Sequence, residues 1–442
     1  MSARIWSFVL GWSRVGLNAA LFLAATRVLT LAEIGLFATA YAPIRLTQGM
    51  FKAGVSDAVI VLGRRPRRWD ALFALSLSAG GVLTVLYLLI GAAFSPILLT
   101  LGVIPLINSI GAVSEGILRQ RLALRALALR TAGTLTVAAI VALWMLATGW
   151  GLWALVAFSL LNAVLTCVLS FRLAAWRPQS WPAWRRQQAI LPKTSEIAGR
   201  VLITTAQMPL AQLAFGLALG PIAAGAFQIA SRMLDLIDAL TLSPLRFVAL
   251  PQFNRAHALR PAIRAHLRVS SLSGAWVWAG TFAAAPEILA VAVGPTHATT
   301  AAPILRALAG AGLLNVVFMP ILQALTARGL TRLVLKRAAL LLGLSAALVL
   351  PALTLSTVAA AIALSLAVFV ANFWLLGMAL PALGVTRDDL NTVTGPLCAG
   401  AIMGIALVLM PALSLLIQIV IGTALYVLLL GLTRLPRLRM RV

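Results

Sequence analysis

Apolar runs of about twenty residues follow one another along almost the whole chain, broken by short clusters of Gly, Pro and Arg. Each run is about the length an α-helix needs to cross the hydrocarbon core of a bilayer. Segmented this way, the pattern predicts fourteen spans, at 5–28, 33–55, 71–94, 96–118, 130–149, 151–173, 196–219, 221–243, 268–293, 301–325, 333–353, 356–380, 392–410 and 412–432. Strand-like alternation is absent, and an open sheet edge finds no hydrogen-bond partner in lipid, so a β-barrel does not fit. The first apolar block is longer than the core of a signal peptide and lacks a small-x-small cleavage site, so it reads as a span. The expected class is an all-α polytopic membrane protein.

Composition agrees, with 62% hydrophobic residues over 442 positions and a mean hydropathy of +1.02. The formal net charge of +25 would suggest nucleic acid as partner of a soluble chain. Position removes that reading, because 28 of the 35 basic residues fall in alternate inter-span loops, near 4, 64–68, 119–130, 172–200, 255–268, 328–337, 387 and 434–441. The opposite loops, such as "ATGWG", "ALGP" and "LTLST", hold none. By the positive-inside rule both termini are expected in the cytoplasm. The short outer loops leave no room for a substrate-holding domain, which counts against a membrane glycosyltransferase or polymerase. Cys167 and Cys398 lie within apolar segments and read as small buried residues, so no metal, redox pair or cofactor is expected. Asp388 and Asp389 read as acids opening span 13.

The chain repeats itself. Residues 95–130 and 302–337 align at an offset of 207, placing Pro96 on Pro303, Asn108 on Asn315, and Arg121, Arg125 and Arg130 on Arg328, Arg332 and Arg337. "AEIGLFATA" (32–40) and "IAAGAFQIA" (222–230) share Gly35/Gly225, Phe37/Phe227 and Ala40/Ala230. Six spans separate the copies, an even number, so two parallel lobes are expected. The domains predicted are 1–180 and 190–382, six helices each, then spans 13–14 at 391–433 and a basic cytoplasmic tail at 434–442.

Seven basic residues fall outside the inner loops. Arg27, Arg246 and Arg306 lie near span ends, where snorkelling explains them. Arg14, Arg45 and Arg232 lie near the midplane, where an unreceived charge costs about 2.5–3.5 kcal/mol on insertion scales. At helical spacing they join polar stripes: Arg14 with Ser7, Gly11 and Asn18; Arg45 with Tyr41, Gln48 and Lys52; Arg232 with Gln228, Asp235 and Asp238. Gln207 and Gln212 of span 7 add to them. Stripes on equivalent helices of two lobes predict a shared cavity. Arg232 has Asp235 at i, i+3 as one partner; for Arg14 and Arg45 the partner is either a carboxylate from another helix or an anionic substrate. Guanidinium suits a diphosphate, because its planar fork donates two hydrogen bonds and stays charged.

"ATRVLTLAEIGLFATAYA", "SEGILRQRLALRALALR", "GWGLWALVAFSLLNAV" and "LGPIAAGAFQIASRM" resemble the polysaccharide transport family of oligosaccharide flippases. That family belongs to the multidrug, oligosaccharidyl-lipid and polysaccharide exporter superfamily, and the resemblance covers spans 1–12. It implies a V-shaped two-lobe fold in which spans 1, 2, 7 and 8 border the cavity, alternating access, and coupling to a cation gradient or the membrane potential. The expected function is inner-membrane flipping of polyprenyl-diphosphate-linked oligosaccharide repeat units for exopolysaccharide or O-antigen biosynthesis, without enzymatic chemistry. Substrate contacts fall to Arg14, Asn18, Tyr41, Arg45, Gln48, Lys52, Gln207, Gln212, Gln228 and Arg232, and ion coupling to Asp235 and Asp238. The expected partners are the lipid-linked oligosaccharide, membrane lipids and polysaccharide polymerase machinery, with no nucleic acid. A cation-coupled multidrug extruder of the same superfamily is the alternative; it would need cavity carboxylates, and only Asp235 and Asp238 qualify. Asp57 and the very basic loop after it depart from many relatives, and the roles of Asp57 and Glu115 stay open.

Overall fold

The computed structural model describes residues 3–63, 66–179, 182, 184–255, 258–410 and 414–439. Among these there are α-helices and one π-helical segment but no strand. The chain divides into two compact units, Met1–Gly225 and Ala226–Val442. The first holds α1 (Ala3–Val28), α2 (Leu31–Gly49), the π segment (Met50–Val55), α3 (Ser56–Leu62), α4 (Pro66–Phe94), α5 (Pro96–Leu101), α6 (Ile104–Gln120), α7 (Leu124–Ala147), α8 (Trp153–Ala174) and α9 (Trp184–Thr205). α10 (Gln207–Thr241) begins in the first unit and ends in the second. The second continues with α11 (Ser243–Arg255), α12 (Leu259–Ala283), α13 (Ala285–Val293), α14 (Pro295–Ala327), α15 (Thr331–Ala352), α16 (Thr357–Leu383), α17 (Arg387–Leu409) and α18 (Leu415–Arg439).

Ten spans among the described residues are long and apolar enough to cross a membrane, or eleven if the pair α12 and α13, bent by 79°, counts as one. The expected count of fourteen is therefore not reproduced by length and composition, and the reasons are local. The π segment divides the second predicted span, so no single regular helix covers it. The seventh predicted span runs from the end of α9 into α10, and the eighth lies in the same α10, which is interrupted at Gly220, with φ 83° and ψ 179°. Glycine alone holds that conformation cheaply, and Pro221 comes next. Large apolar side chains such as Leu89, Ile140, Trp144 and Leu416 point outward, as lipid-facing positions do.

In the first unit α2 starts on a capping box, with Thr30 and Glu33 each satisfying the other's backbone N–H. Pro43 stands inside the helix, and its carbonyl accepts hydrogen bonds from the Tyr87 hydroxyl at 3.0 Å and Thr47 Oγ1 at 3.4 Å. Two turns later the helix widens into the π segment, a departure frequent at functional sites. Below it Phe51, Val55 and Val59 pack with Leu72, Val113 and Ile117 in a buried core. The matched glycines of the duplicated motif meet here. A Cβ on Gly35 would lie 1.7 Å from the carbonyl oxygen of Pro221, and one on Gly225 would lie 2.0 Å from that of Leu31. α2 and α10 thus touch backbone to backbone, the close approach that small residues allow between membrane helices.

In the second unit α12 packs along α14 and α17. Gly274 on α12 lies against Val316 of α14, and Gly312 on α14 against Trp278 of α12. Arg306 donates to the carbonyls of Phe282 and Ala283 at 3.2 and 3.1 Å. These are the last carbonyls of α12, left open by the bend, so Arg306 caps a helix C-terminus where snorkelling was expected. α17 opens as expected for Asp389, on a capping box with Thr386, and Arg260 Nε donates to the same carboxylate at 2.7 Å.

Gly35→Val places a branched side chain against the backbone of α10, which no side-chain rotation relieves. The substitution is expected to destabilise the fold by at least the 1–3 kcal/mol typical of overpacking. A lowered melting midpoint and a lost monodisperse peak on size-exclusion chromatography in detergent would register it; unchanged behaviour would mean that the two helices stand further apart.

Candidate functional site

The polar stripe on α2 is the best-defined part of the expected site. Gln48 Nε2 donates to the Tyr41 hydroxyl at 3.0 Å, and Tyr41 stacks on Phe37 at 5.3 Å. That fixes both polar tips on one face. Arg45 lies half-buried between them in sequence and makes no hydrogen bond or ion pair with the described residues. Asn18 is half-buried on α1 and has an interaction partner. Arg14 lies on the same helix, but its side chain is outside the described residues.

Lys52 belongs to the same stripe in the sequence, yet the structure turns it into the interior of the first unit. It sits in the π segment, whose extra residue per turn shifts the side chains off the α-helical register. There Lys52 lines a void with Asn108 and Glu115 of α6 and Thr166 and Ser170 of α8. Lys52 and Glu115 attract each other. Glu115 also accepts from Arg119 Nη2 at 2.5 Å and lies 3.5 Å from Arg130 Nη1. Arg130 Nη1 donates to Ser170 Oγ at 2.7 Å, and Arg119 reaches Asp57 at 4.0 Å. Glu115 and Arg130 are each only 7% exposed. The sequence pattern places Arg130 among loop charges; it is a buried residue of α7. The signal that could have found it was the lone acid Glu115 inside an apolar run, fifteen residues before an arginine of the repeated motif.

The remaining expected contacts separate. Gln207 opens α10 and has an interaction partner. Gln212 is 2% exposed, and its Nε2 donates to the carbonyl of Ala224 at 3.0 Å, bracing α10 across the Gly220 interruption. In the second unit Gln228 is buried. Arg232 lies 3.8 Å from Asp235, the i, i+3 pair foreseen in the sequence, while the Asp235 side chain remains 63% exposed. Asp238 accepts from Arg246 Nη2 at 2.7 Å, so Arg246 takes a partner eight residues away in place of the expected snorkelling. An apolar cavity of about 240 Å³ elsewhere in this unit is lined by Trp276, Thr281, Met403, Leu407 and Gln418, among others. No group of three or more His, Cys, Asp or Glu side chains that could hold a metal ion occurs among the described residues.

A helical chain with at least ten membrane-length spans among the described residues and an internal duplication in its sequence is a multi-pass membrane protein. Residues 24–302 match the polysaccharide biosynthesis protein family, and the chain belongs to it. Among solved structures the chain is similar to the lipid II flippase MurJ in its inward closed conformation, at 14% identity and a TM-score of 0.73, covering 98% of this chain and 99% of that one. It is also similar to an inward-facing multidrug resistance MATE family transporter of the MOP superfamily, at 16% identity and a TM-score of 0.61, covering 87% and 100%. A MOP superfamily transporter from Pyrococcus furiosus, described as having a binding pocket of reverse polarity, matches at 16% identity with a TM-score of 0.50, covering 86% and 92%. At these identities the likeness speaks for the fold. No curated protein matches the chain in sequence.

Removing the carboxylate of Glu115 leaves three cations facing one another. Glu115→Ala is expected to cost about 3–5 kcal/mol, as breaking a buried pair does, and Arg130→Met added to it should restore part of that loss. Melting midpoints of the single and double variants in detergent test the coupling; a Glu115→Ala protein that melts like the wild type would show these pairs to be idle.

Proposed function

We propose that this protein moves polyprenyl-diphosphate-linked oligosaccharide repeat units across the cytoplasmic membrane, for exopolysaccharide or O-antigen biosynthesis, by alternating access. The reading is carried by Arg45: a half-buried guanidinium on α2, in the middle of the second span predicted from the sequence, with no carboxylate in reach among the described residues. A charge so placed calls for an anion or water, and a diphosphate is the anion that a guanidinium fork receives best. Gln48 and Tyr41 on the same face add neutral donors suited to sugar hydroxyls. Arg14 in the first unit, with Asn18 and Gln207, and Arg232 in the second, with Gln228, are proposed as further cargo contacts. Membership of a polysaccharide biosynthesis family supports the cargo, and the MurJ-like fold supports a lipid-linked one. The alternate basic loops support a cytoplasmic-membrane location with both termini inside.

Coupling to an ion gradient is assigned to Asp235 and Asp238. Asp235 is the more open of the two, since Asp238 is engaged by Arg246. The exposed Asp235 carboxylate also favours a second reading, export of cationic drugs; one structure of similar fold is a multidrug resistance MATE family transporter.

Arg45→Ala separates the two readings. Loss of a charge-assisted contact of about 1.5–3 kcal/mol should lower surface polysaccharide by tenfold or more, with resistance to cationic dyes and drugs unchanged. Arg45→Lys should recover part of the export, because it keeps the charge but not the fork. Undiminished polysaccharide together with increased drug sensitivity would reject the flippase reading.

A further inference from the structure

Three helices of the second unit carry cations and no acid. From 288 to 387, a stretch that includes the whole of α14, α15 and α16, the chain has six Lys or Arg and no Asp or Glu. One of the six, Arg337, stands where the three helices meet. Leu341, one turn further along α15, joins Ala367, Val368 and Ala371 of α16 in an apolar seam, with Ala311 of α14 packed against it. Arg337 ends that seam. Its Nε and Nη2 both donate to Asn372 Oδ1, at 3.0 and 2.8 Å, and Asn372 Nδ2 donates to Asn315 Oδ1 at 3.2 Å. Asn372 is fully buried, so one edge of the guanidinium is fixed by a neutral amide. That satisfies the donors on the edge and leaves the charge uncancelled.

The first unit treats the equivalent position differently. Offset 207 places Arg130 on Arg337, Asn108 on Asn315 and Glu115 on Leu322. Arg130 is 7% exposed and lies 3.5 Å from the Glu115 carboxylate. Arg337 has the cation without the acid, and it is half-buried. No other hydrogen bond or ion pair joins it to the described residues, and its Nη1 is not among the buried atoms that lack a partner. Nη1 therefore lies at the protein surface.

The surface in question belongs to α15. Only 22% of its apolar window is buried within the protein, against 61% for α14 and 50% for α16, so α15 turns most of its circumference to lipid. Arg337 is six residues from the start of that helix, about 9 Å along its axis. The exposed Arg332 and Lys336 precede it on the same helix. By the alternation of basic loops this is the cytoplasmic end of the span, and a group one and a half turns in lies near the level where headgroups meet hydrocarbon.

We propose that Arg337 anchors a binding site for an acidic phospholipid of the cytoplasmic leaflet, whose phosphate meets the open edge of the guanidinium while Arg332 and Lys336 add attraction. A phosphodiester brings the single negative charge that the seam lacks, and its paired oxygens match the guanidinium fork. Basic residues at the cytoplasmic end of a span attract acidic lipids in general. What sets this position apart is a guanidinium whose orientation is already fixed, by Asn372, before any lipid arrives. The site is separate from Arg45 and its stripe, and it stands whether or not the cargo is a lipid diphosphate.

Native mass spectrometry of the purified full-length protein, with phosphatidylglycerol or phosphatidylcholine added to the detergent, tests the assignment. The wild type should hold at least one phosphatidylglycerol with an apparent affinity tenfold or more above that for phosphatidylcholine. Arg337→Met should abolish the preference, and Asn372→Leu should weaken it although the charge remains. Arg264→Gln, which removes an exposed cation of α12, should leave it intact. Equal retention of the two lipids overturns the proposal, and so does a preference that either Arg337→Met or Asn372→Leu keeps in full. Melting midpoints separate the source of the phosphate: a rise with phosphatidylglycerol and none with inorganic phosphate supports a lipid, and an equal rise with both rejects it. Cryo-electron microscopy of the wild type in phosphatidylglycerol nanodiscs reads the site without relying on any variant to fold. Headgroup density against Arg337 supports the assignment, and headgroup density only elsewhere rejects it.

Discussion

A positive charge in hydrocarbon must find a counter-charge, a carbonyl or water, and this constraint orders the interior of both units. The arginines that are paired in the structure meet it differently. Arg130 takes a carboxylate and a hydroxyl, Arg306 takes the open carbonyls at the end of α12, Arg246 takes Asp238, and Arg337 takes a pair of asparagines. Against that background Arg45 is the exception among the described residues, a half-buried guanidinium on α2 with no hydrogen bond or ion pair to them. An exporter of anionic cargo has a use for such a group, and a purely structural helix does not.

The duplication makes the contrast sharper. Asn108 and Arg130 recur as Asn315 and Arg337, so both units keep the same amide and guanidinium on equivalent helices. Around that shared pair the first unit adds an acid and a lysine, and the second adds a neutral amide. The same amide and guanidinium are held by an ionic cluster in one unit and by a dipolar network in the other. The ionic version sits next to the wide turn that bears Lys52, which places the more polarisable chemistry beside the more irregular backbone.

Much of the architecture could be read in advance because hydrophobic length and loop charge are one-dimensional signals. Nearly all predicted spans fall on observed helices, and the Gly220 interruption stands where two predicted spans divide. The features that escaped such a reading depend on the third dimension. Arg130 looks like a loop charge because it lies at the first apolar residues of its span, and only the packing of α7 on α6 and α8 buries it. Arg246 and Arg306 look like end-of-span cations; their partners lie eight and more than twenty residues away, beyond any helical periodicity. Gln212 reads as a cavity polar residue, yet it braces a kink, because a side chain's direction around a broken helix cannot be counted off in steps of 3.6. Lys52 leaves its stripe for the same reason, a π turn that no residue pattern announces.

That wide turn gives the second predicted span an adjustable phase. One residue more or less rotates the remainder of the span by about 100° about the helix axis while changing its length by only about 1.5 Å. Asp57, seated just past the turn, owes its 4.0 Å approach to Arg119 to that phase, whereas the Tyr41–Gln48 contact, before the turn, does not depend on it. The π segment thus sets the angle between two polar faces of the second predicted span, one turned to the ionic cluster inside the first unit and the other carrying Arg45.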